Sequence, residues 1–166
     1  MIRFLRLVLV TVIIVCLGAC VTQPHTVAES LALYDAGDYA KAFGMLNTLA
    51  QQGDAQAQQA LGVMYDNGQG VKKDENLALG LYRQAAANNN DSAQYLLATV
   101  LEKKQGLTNN QSEAIKWYRL AAANGHPNAQ YRMGQLELLG INGSAPDLLK
   151  ASYWFSLSAA QGDPQA

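Results

Sequence analysis

The sequence predicts an all-α fold, an α-solenoid of stacked antiparallel helix pairs. Three observations predict it. An alanine–glutamine step recurs in register at Ala57-Gln58, Ala93-Gln94 and Ala129-Gln130, spaced by 36 residues, and a further alanine, Ala166, follows 37 residues on. A repeat of this length marks an array of supersecondary units. Within each unit the apolar residues fall at steps of three and four, the period of one helix face. Hydrophobic residues are 49% of the chain but aromatic residues only 8%, and alanine is abundant. Small side chains let helix axes approach closely and suit helix packing better than a sheet core. The formal net charge of −1 excludes a broad cationic surface for nucleic acid. Two histidines and two cysteines leave little material for metal or thiol chemistry.

In chain order, residues 1–19 are expected to be a targeting segment. Arg3 and Arg6 form a basic start, and the uncharged apolar run Leu7 to Leu17 follows. At about 1.5 Å per residue this run spans roughly half of a ~30 Å hydrocarbon core, the length of a signal-peptide core and too short for a spanning helix. Leu17-Gly18-Ala19-Cys20 resembles the bacterial lipobox. That resemblance implies a lipoprotein signal peptide cleaved before Cys20, acylation of the Cys20 thiol, and membrane anchoring through that lipid. Cys16 would leave with the signal peptide, so no disulfide is expected. The mature chain would carry 10 Lys+Arg against 13 Asp+Glu, a net −3. Val21 stands where enterobacterial inner-membrane lipoproteins carry aspartate. The expected location is therefore the bacterial cell envelope, at the outer membrane and facing the periplasm. Residues 20–27, with Pro24, form a tether.

Residues 28–53 are expected to form one helix pair, turned at Ala36-Gly37 and carrying Ala42, Met45, Leu46, Leu49 and Ala50 on its second helix. Residues 54–90 form the first repeat. Its first helix carries Ala57, Ala60, Leu61, Met64 and Tyr65 on one face. Asn67-Gly68-Gln69-Gly70 breaks the helix, because glycine tolerates left-handed backbone. Asp74 caps a second helix with Ala78, Leu81, Tyr82, Ala85 and Ala86 as its stripe. Residues 91–125 and 126–162 repeat the design, with Ala93, Trp117 and Tyr118, then Ala129, Gly134, Trp154 and Phe155, at matching positions. Residues 163–166 begin an unfinished repeat. About eight helices are expected after signal removal.

The run Ala57-x-x-Ala60-Leu61-Gly62-x-Met64-Tyr65-x-x-Gly68-x-Gly70-Val71 resembles the Sel1-like repeat, a relative of the tetratricopeptide repeat. The resemblance covers Asp54 to Gly162, while residues 28–53 resemble a plain tetratricopeptide pair. The sequence departs from the pattern at Leu81, at Ala98 and Leu101, at Lys104 and at Glu137, and the loop Lys103 to Asn109 is expected to be distorted. The resemblance implies a right-handed superhelix whose first helices line a concave face. By register that face presents Gln59, Tyr95 and Tyr131; then Val63, Thr99 and Gln135; then Asp66, Glu102 and Leu138. These are the candidate groove residues for an envelope protein or peptide. A competing expectation has Tyr95 and Tyr131 packing between repeats. Gln58, Gln94 and Gln130 are expected to be structural, as are Ala57, Gly62, Tyr65, Gly68, Gly70, Tyr82, Ala93, Trp117, Tyr118, Ala129, Gly134 and Trp154.

No catalytic, cofactor or metal site is expected. His25 lies in the tether and His126 precedes Pro127 at a helix start, a capping position. No serine is followed three residues on by lysine, so the penicillin-recognising motif is absent. Asp66 to Gly70 lacks the alternating oxygen ligands of a calcium loop. The expected role is that of a membrane-anchored interaction scaffold. The alternatives are a β-lactamase-like enzyme or a binder of cell-wall glycan. Lys72-Lys73 and Lys103-Lys104 are expected to be solvated, with an acidic partner or lipid headgroups as their functional alternative. Leu148, Leu149, Trp154, Phe155 and Leu157 surround much of the last helix, which predicts a covered end, a homodimer among the options.

Overall fold

The computed structural model describes residues 26–105, 113–140 and 145–162. Among them are eight helices and no strand: α1 Val27–Asp35, α2 Tyr39–Gln51, α3 Ala55–Asn67, α4 Glu75–Ala87, α5 Asp91–Gln105, α6 Glu113–Ala123, α7 Pro127–Leu139 and α8 Leu148–Ala160. Each helix packs chiefly on its neighbour in sequence, and α1 also reaches α3. This is the contact pattern of a linear stack of helix pairs.

The caps explain where the helices start. Asp54, Asn90 and His126 occupy one register position, and each accepts the backbone N–H three residues on, at 2.8, 2.8 and 3.3 Å. Asp74 and Asp147 do the same for α4 and α8. Each bond satisfies an N–H that the first turn leaves without a helical partner. Thr26 caps α1, so that helix begins at Val27, the last residue of the expected tether and one residue before the helix pair was expected to start.

The core forms three clusters, each joining one helix pair to the next. Leu46, Leu61 and Met64 centre the first cluster, Tyr82, Leu97 and Leu101 the second, and Ile115, Tyr118 and Met133 the third. Ala57, Ala93 and Ala129 are all fully buried between helices. A Cβ built on Gly62 would stand 2.6 Å from the Tyr82 ring, and one on Gly134 2.6 Å from the Phe155 ring. These close approaches explain the small residue at that register.

The first repeat's loop turns on two left-handed glycines, Gly68 and Gly70, both at φ 71°. Gly68 ends α3 as its C-cap. Lys104 takes the Gly68 position in the second repeat, and α5 continues through it to Gln105, 15 residues against 13 for α3 and α7. The loop expected from Lys103 therefore starts later. No glycine stands at the Gly68 position to stop the helix there, and two lysines in its last turn complement the helix dipole. Residues 106–109 of that expected loop lie outside the described residues.

Candidate functional site

The first helices of the pairs, α1, α3, α5 and α7, carry the candidate groove positions. Gln59 and Val63 sit one turn apart on α3 and face α1. With Leu31, Tyr34, Asp35 and Ala60 they line a cavity of about 210 Å³. Its lining combines apolar side chains with a carboxylate, an amide and a phenol. Tyr34 is held there because its hydroxyl donates to Gln69 Oε1 at 2.6 Å, while Gln69 Nε2 donates to the Tyr39 hydroxyl at 3.3 Å. Gln69 thus ties the loop of one repeat to both helices of the preceding pair. On the far side of α3, Asp66 and Thr99 border a second cavity of about 300 Å³ with Glu75, Val100, Lys103 and Lys104. The Thr99 hydroxyl donates to the Leu96 carbonyl at 2.7 Å.

Most of the remaining candidate positions are engaged by neighbouring side chains. Tyr95 stacks on His126 with ring centroids 4.6 Å apart and lies 5.8 Å from the Tyr118 ring. Tyr131 packs on Phe155 at 5.5 Å. Glu102 accepts from the Tyr118 hydroxyl at 2.7 Å and is bonded to Arg132, whose guanidinium also donates to Gln135 at 3.0 Å. Burial, reinforced by Glu102, pushes the Tyr118 hydroxyl well above its ordinary pKa. Burial does the same to Tyr82, with Asp66 adding to it. Leu138 is exposed at the end of α7. The register row therefore divides: Gln59, Val63, Asp66 and Thr99 border open cavities, Tyr95 and Glu102 bridge the second and third repeats, Tyr131 and Gln135 are engaged within the third, and Leu138 is exposed.

The three register glutamines form a buried series. Gln58, Gln94 and Gln130 each donate through Nε2 to the carbonyl eight residues back, at 3.2, 3.3 and 3.2 Å. Those carbonyls belong to the last turn of the preceding helix, which lacks helical partners. Asn124 and Gln161 donate in turn to the amide oxygens of Gln94 and Gln130. The oxygen of Gln58 is buried without a partner.

His126 supplies a lone pair from Nδ1 to the cap of α7, which commits the ring to its neutral form. Burial lowers its pKa, partly opposed by the Asp91 charge. Among the described residues no group of three or more His, Cys, Asp or Glu is placed to hold a metal ion, and no helix is long and apolar enough to cross a membrane. Cys20 and His25 lie outside the described residues.

Sequence reasoning missed Leu31, Tyr34 and Asp35, which form half of the first cavity. α1 lacks the Gly-x-Gly loop of the repeats and has no register partner, so nothing in the repeat pattern marked its inward face. The only available signal was the spacing of three and four residues that puts Leu31, Tyr34 and Asp35 on one side of a helix.

The Sel1 repeat model matches the chain at residues 55–90, 91–126 and 127–163. No curated protein matches the chain. Among solved structures, a Sel1 repeat protein from Oxalobacter formigenes is 35% identical with a TM-score of 0.74, over 82% of this chain and 54% of its own. A protective antigen of uropathogenic Escherichia coli strains, described as displaying an SLR fold, is 30% identical with a TM-score of 0.69, over 83% of this chain and 31% of its own. The chain thus spans about half the length of the first structure and about a third of the second.

Proposed function

Because the chain belongs to the Sel1 repeat family, we propose that it is an interaction scaffold of the bacterial cell envelope that takes an envelope protein or peptide across α1, α3 and α5. The observation that carries this reading is the cavity between α1 and α3. At about 210 Å³ it is smaller than the roughly 300–1,000 Å³ of enclosed small-molecule sites and suits one apolar side chain of a partner. Leu31, Ala60 and Val63 would receive that side chain. Asp35 and Gln59 would bind backbone or side-chain N–H groups beside it. A segment continuing over α3 meets Asp66 and Thr99, then Lys103 and Lys104, so an acidic group fits its far end.

The reading assigns no reaction to the chain. The His126 ring is committed to a cap and a stack, and the Thr99 hydroxyl to a backbone carbonyl. The anchor in this reading is lipid on Cys20, which places the stack at the periplasmic face of the outer membrane. The lipobox resemblance and the residue after the cysteine support that part.

Recovery of partners from envelope extracts tests the groove. Gln59→Arg with Val63→Glu blocks the cavity, and central contacts of this kind carry most of an interface's energy. Recovery should fall at least about tenfold while the helical circular dichroism is kept. Undiminished recovery would contradict the site. Labelling with a fatty-acid analogue tests the anchor: it should mark the wild type and not Cys20→Ser, and equal labelling of both would overturn it.

A further inference from the structure

The last repeat differs from the others at one edge. Leu138 and Leu139 end α7 where the earlier repeats carry Asp66 and Asn67, then Glu102 and Lys103. Leu148 and Leu149 open α8 where α4 opens with Glu75 and Asn76. Tyr153, one turn further, stands where the earlier repeats have Gly80 and Lys116. All five are exposed, Leu139 at 75% and Leu149 at 85%. The two helix ends meet, since the Asp147 N–H donates to the Glu137 carbonyl at 2.9 Å. The result is a local apolar patch at positions that are polar or glycine in the other repeats, of a kind that marks an interaction site.

The same edge carries the lysines. In a stack of antiparallel pairs, all loops within repeats lie along one side. Lys72 and Lys73 precede α4, and Lys103 and Lys104 end α5. Lys104 Nζ donates to Asn76 Oδ1 at 3.2 Å, which brings the two pairs together. All four are exposed, as is Leu77 in the first turn of α4. Of the acidic groups beside them, Asp66 shares the cavity with Lys103 and Lys104, and the others are engaged internally. Glu75 pairs with Lys73 at 3.2 Å. Asp74 and Asp147 accept backbone N–H groups of their own helices.

We infer that this loop edge docks on an anionic lipid surface, with the lysines against headgroups and the leucines and Tyr153 in the interfacial layer. Leucine, tyrosine and lysine exposed along one edge are the composition of surfaces that lie on membranes. A second copy of the chain fits less well. Ile115 and Ala122 of α6 are buried under the following helix pair, whereas their register positions in α8 hold Ser152 and Ala159, both exposed. End-to-end stacking would therefore cover a serine and an alanine and leave the leucines bare. The inference shares Lys103 and Lys104 with the proposed binding surface but uses neither the α1–α3 cavity nor the chemistry of Cys20.

The test uses the full chain with Leu149→Trp, reconstituted into vesicles of phosphatidylcholine alone or with a third phosphatidylglycerol, each prepared with and without brominated acyl chains. The parent protein corrects for Trp117 and Trp154. The added indole should be quenched by brominated chains in the anionic vesicles and little in the neutral ones. Lys103→Gln with Lys104→Gln should shift the equilibrium away from the docked form by about fivefold for each lysine removed. Added salt should do likewise. Absence of quenching in anionic vesicles would overturn the inference, as would quenching that ignores both lipid charge and the lysines. Shielding of the indole without vesicles, growing with protein concentration, would assign the patch to a second copy instead.

Discussion

Replacing Gly70 with alanine isolates the contact that fixes the first repeat against the preceding helix pair. Gly68 and Gly70 share a left-handed φ of 71°. For an L residue that conformation costs about 1–2 kcal/mol. Loss of unfolded-chain entropy returns about 0.4–1 kcal/mol at either position and cancels in their comparison. What separates them is space. A Cβ at Gly68 would meet Lys73 Cβ at 3.3 Å, which the exposed loop can absorb. A Cβ at Gly70 would meet the Tyr39 carbonyl oxygen at 2.7 Å, its Cβ at 2.8 Å and its carbonyl carbon at 2.9 Å. Tyr39 is the first residue of α2, so relief requires the helix or the loop to move. Overpacking of this kind costs about 1–3 kcal/mol. Gly68→Ala should therefore lose about 1–2 kcal/mol and Gly70→Ala about 2–5 kcal/mol before the shared entropy return. Urea denaturation reads this as a lower midpoint at constant slope. Because Gln69 lies between the two glycines and holds Tyr34, Gly70→Ala should also weaken partner binding at the α1–α3 cavity. Equal midpoint losses for the two variants would refute the close-approach argument.

The His126 cap makes stability depend on pH. Its folded pKa lies below the unfolded value of about 6.5, so the folded state binds fewer protons in the interval between them. The stabilisation is full above that unfolded value and is lost as pH falls through it toward the folded one. His126→Asn keeps a capping acceptor and should flatten the fall in melting temperature below about pH 6.5; an unchanged acid limb would assign it to other groups. In the glutamine series, Gln94→Ala should cost about 1–3 kcal/mol because it strands the Ala86 carbonyl and removes the acceptor of Asn124. Gln58→Ala should cost less, since the oxygen it removes has no partner. A reversed order in chemical denaturation would show that the orphaned oxygen is satisfied in solution.

The repeat made most of the fold legible. A 36-residue register places alanines and glycines at helix crossings, and the position before each first helix must offer a side-chain acceptor. Asp54, Asn90 and His126 meet that demand with three different chemistries. Loop glycine is legible the same way, and its replacement by Lys104 accounts for the longer α5. The site was less legible because register says which residues share a face, not which of them are already occupied. Tyr95 and Tyr131 look alike in the repeat, yet each meets an aromatic partner from a neighbouring helix, His126 and Phe155. Glu102 looks like an open groove carboxylate, yet Tyr118 and Arg132 from two other helices close on it. Such partners depend on residues that vary from one repeat to the next. At the last helix, apolar content alone suggested a face needing cover. Position separates the exposed Leu148, Leu149 and Tyr153 at the loop edge from the half-buried Trp154, Phe155 and Leu157.

Site-specific photocrosslinking in the cell envelope tests the central claim, that the groove across α1, α3 and α5 receives the partner. A photoreactive residue replaces Val63 in one strain and Tyr131 in another, each in the full chain. The account predicts a discrete crosslinked product from position 63, lost on adding Gln59→Arg, and none from position 131, where the side chain packs on Phe155. A product from position 131 with none from position 63 would contradict it and return the binding surface to the tyrosine row.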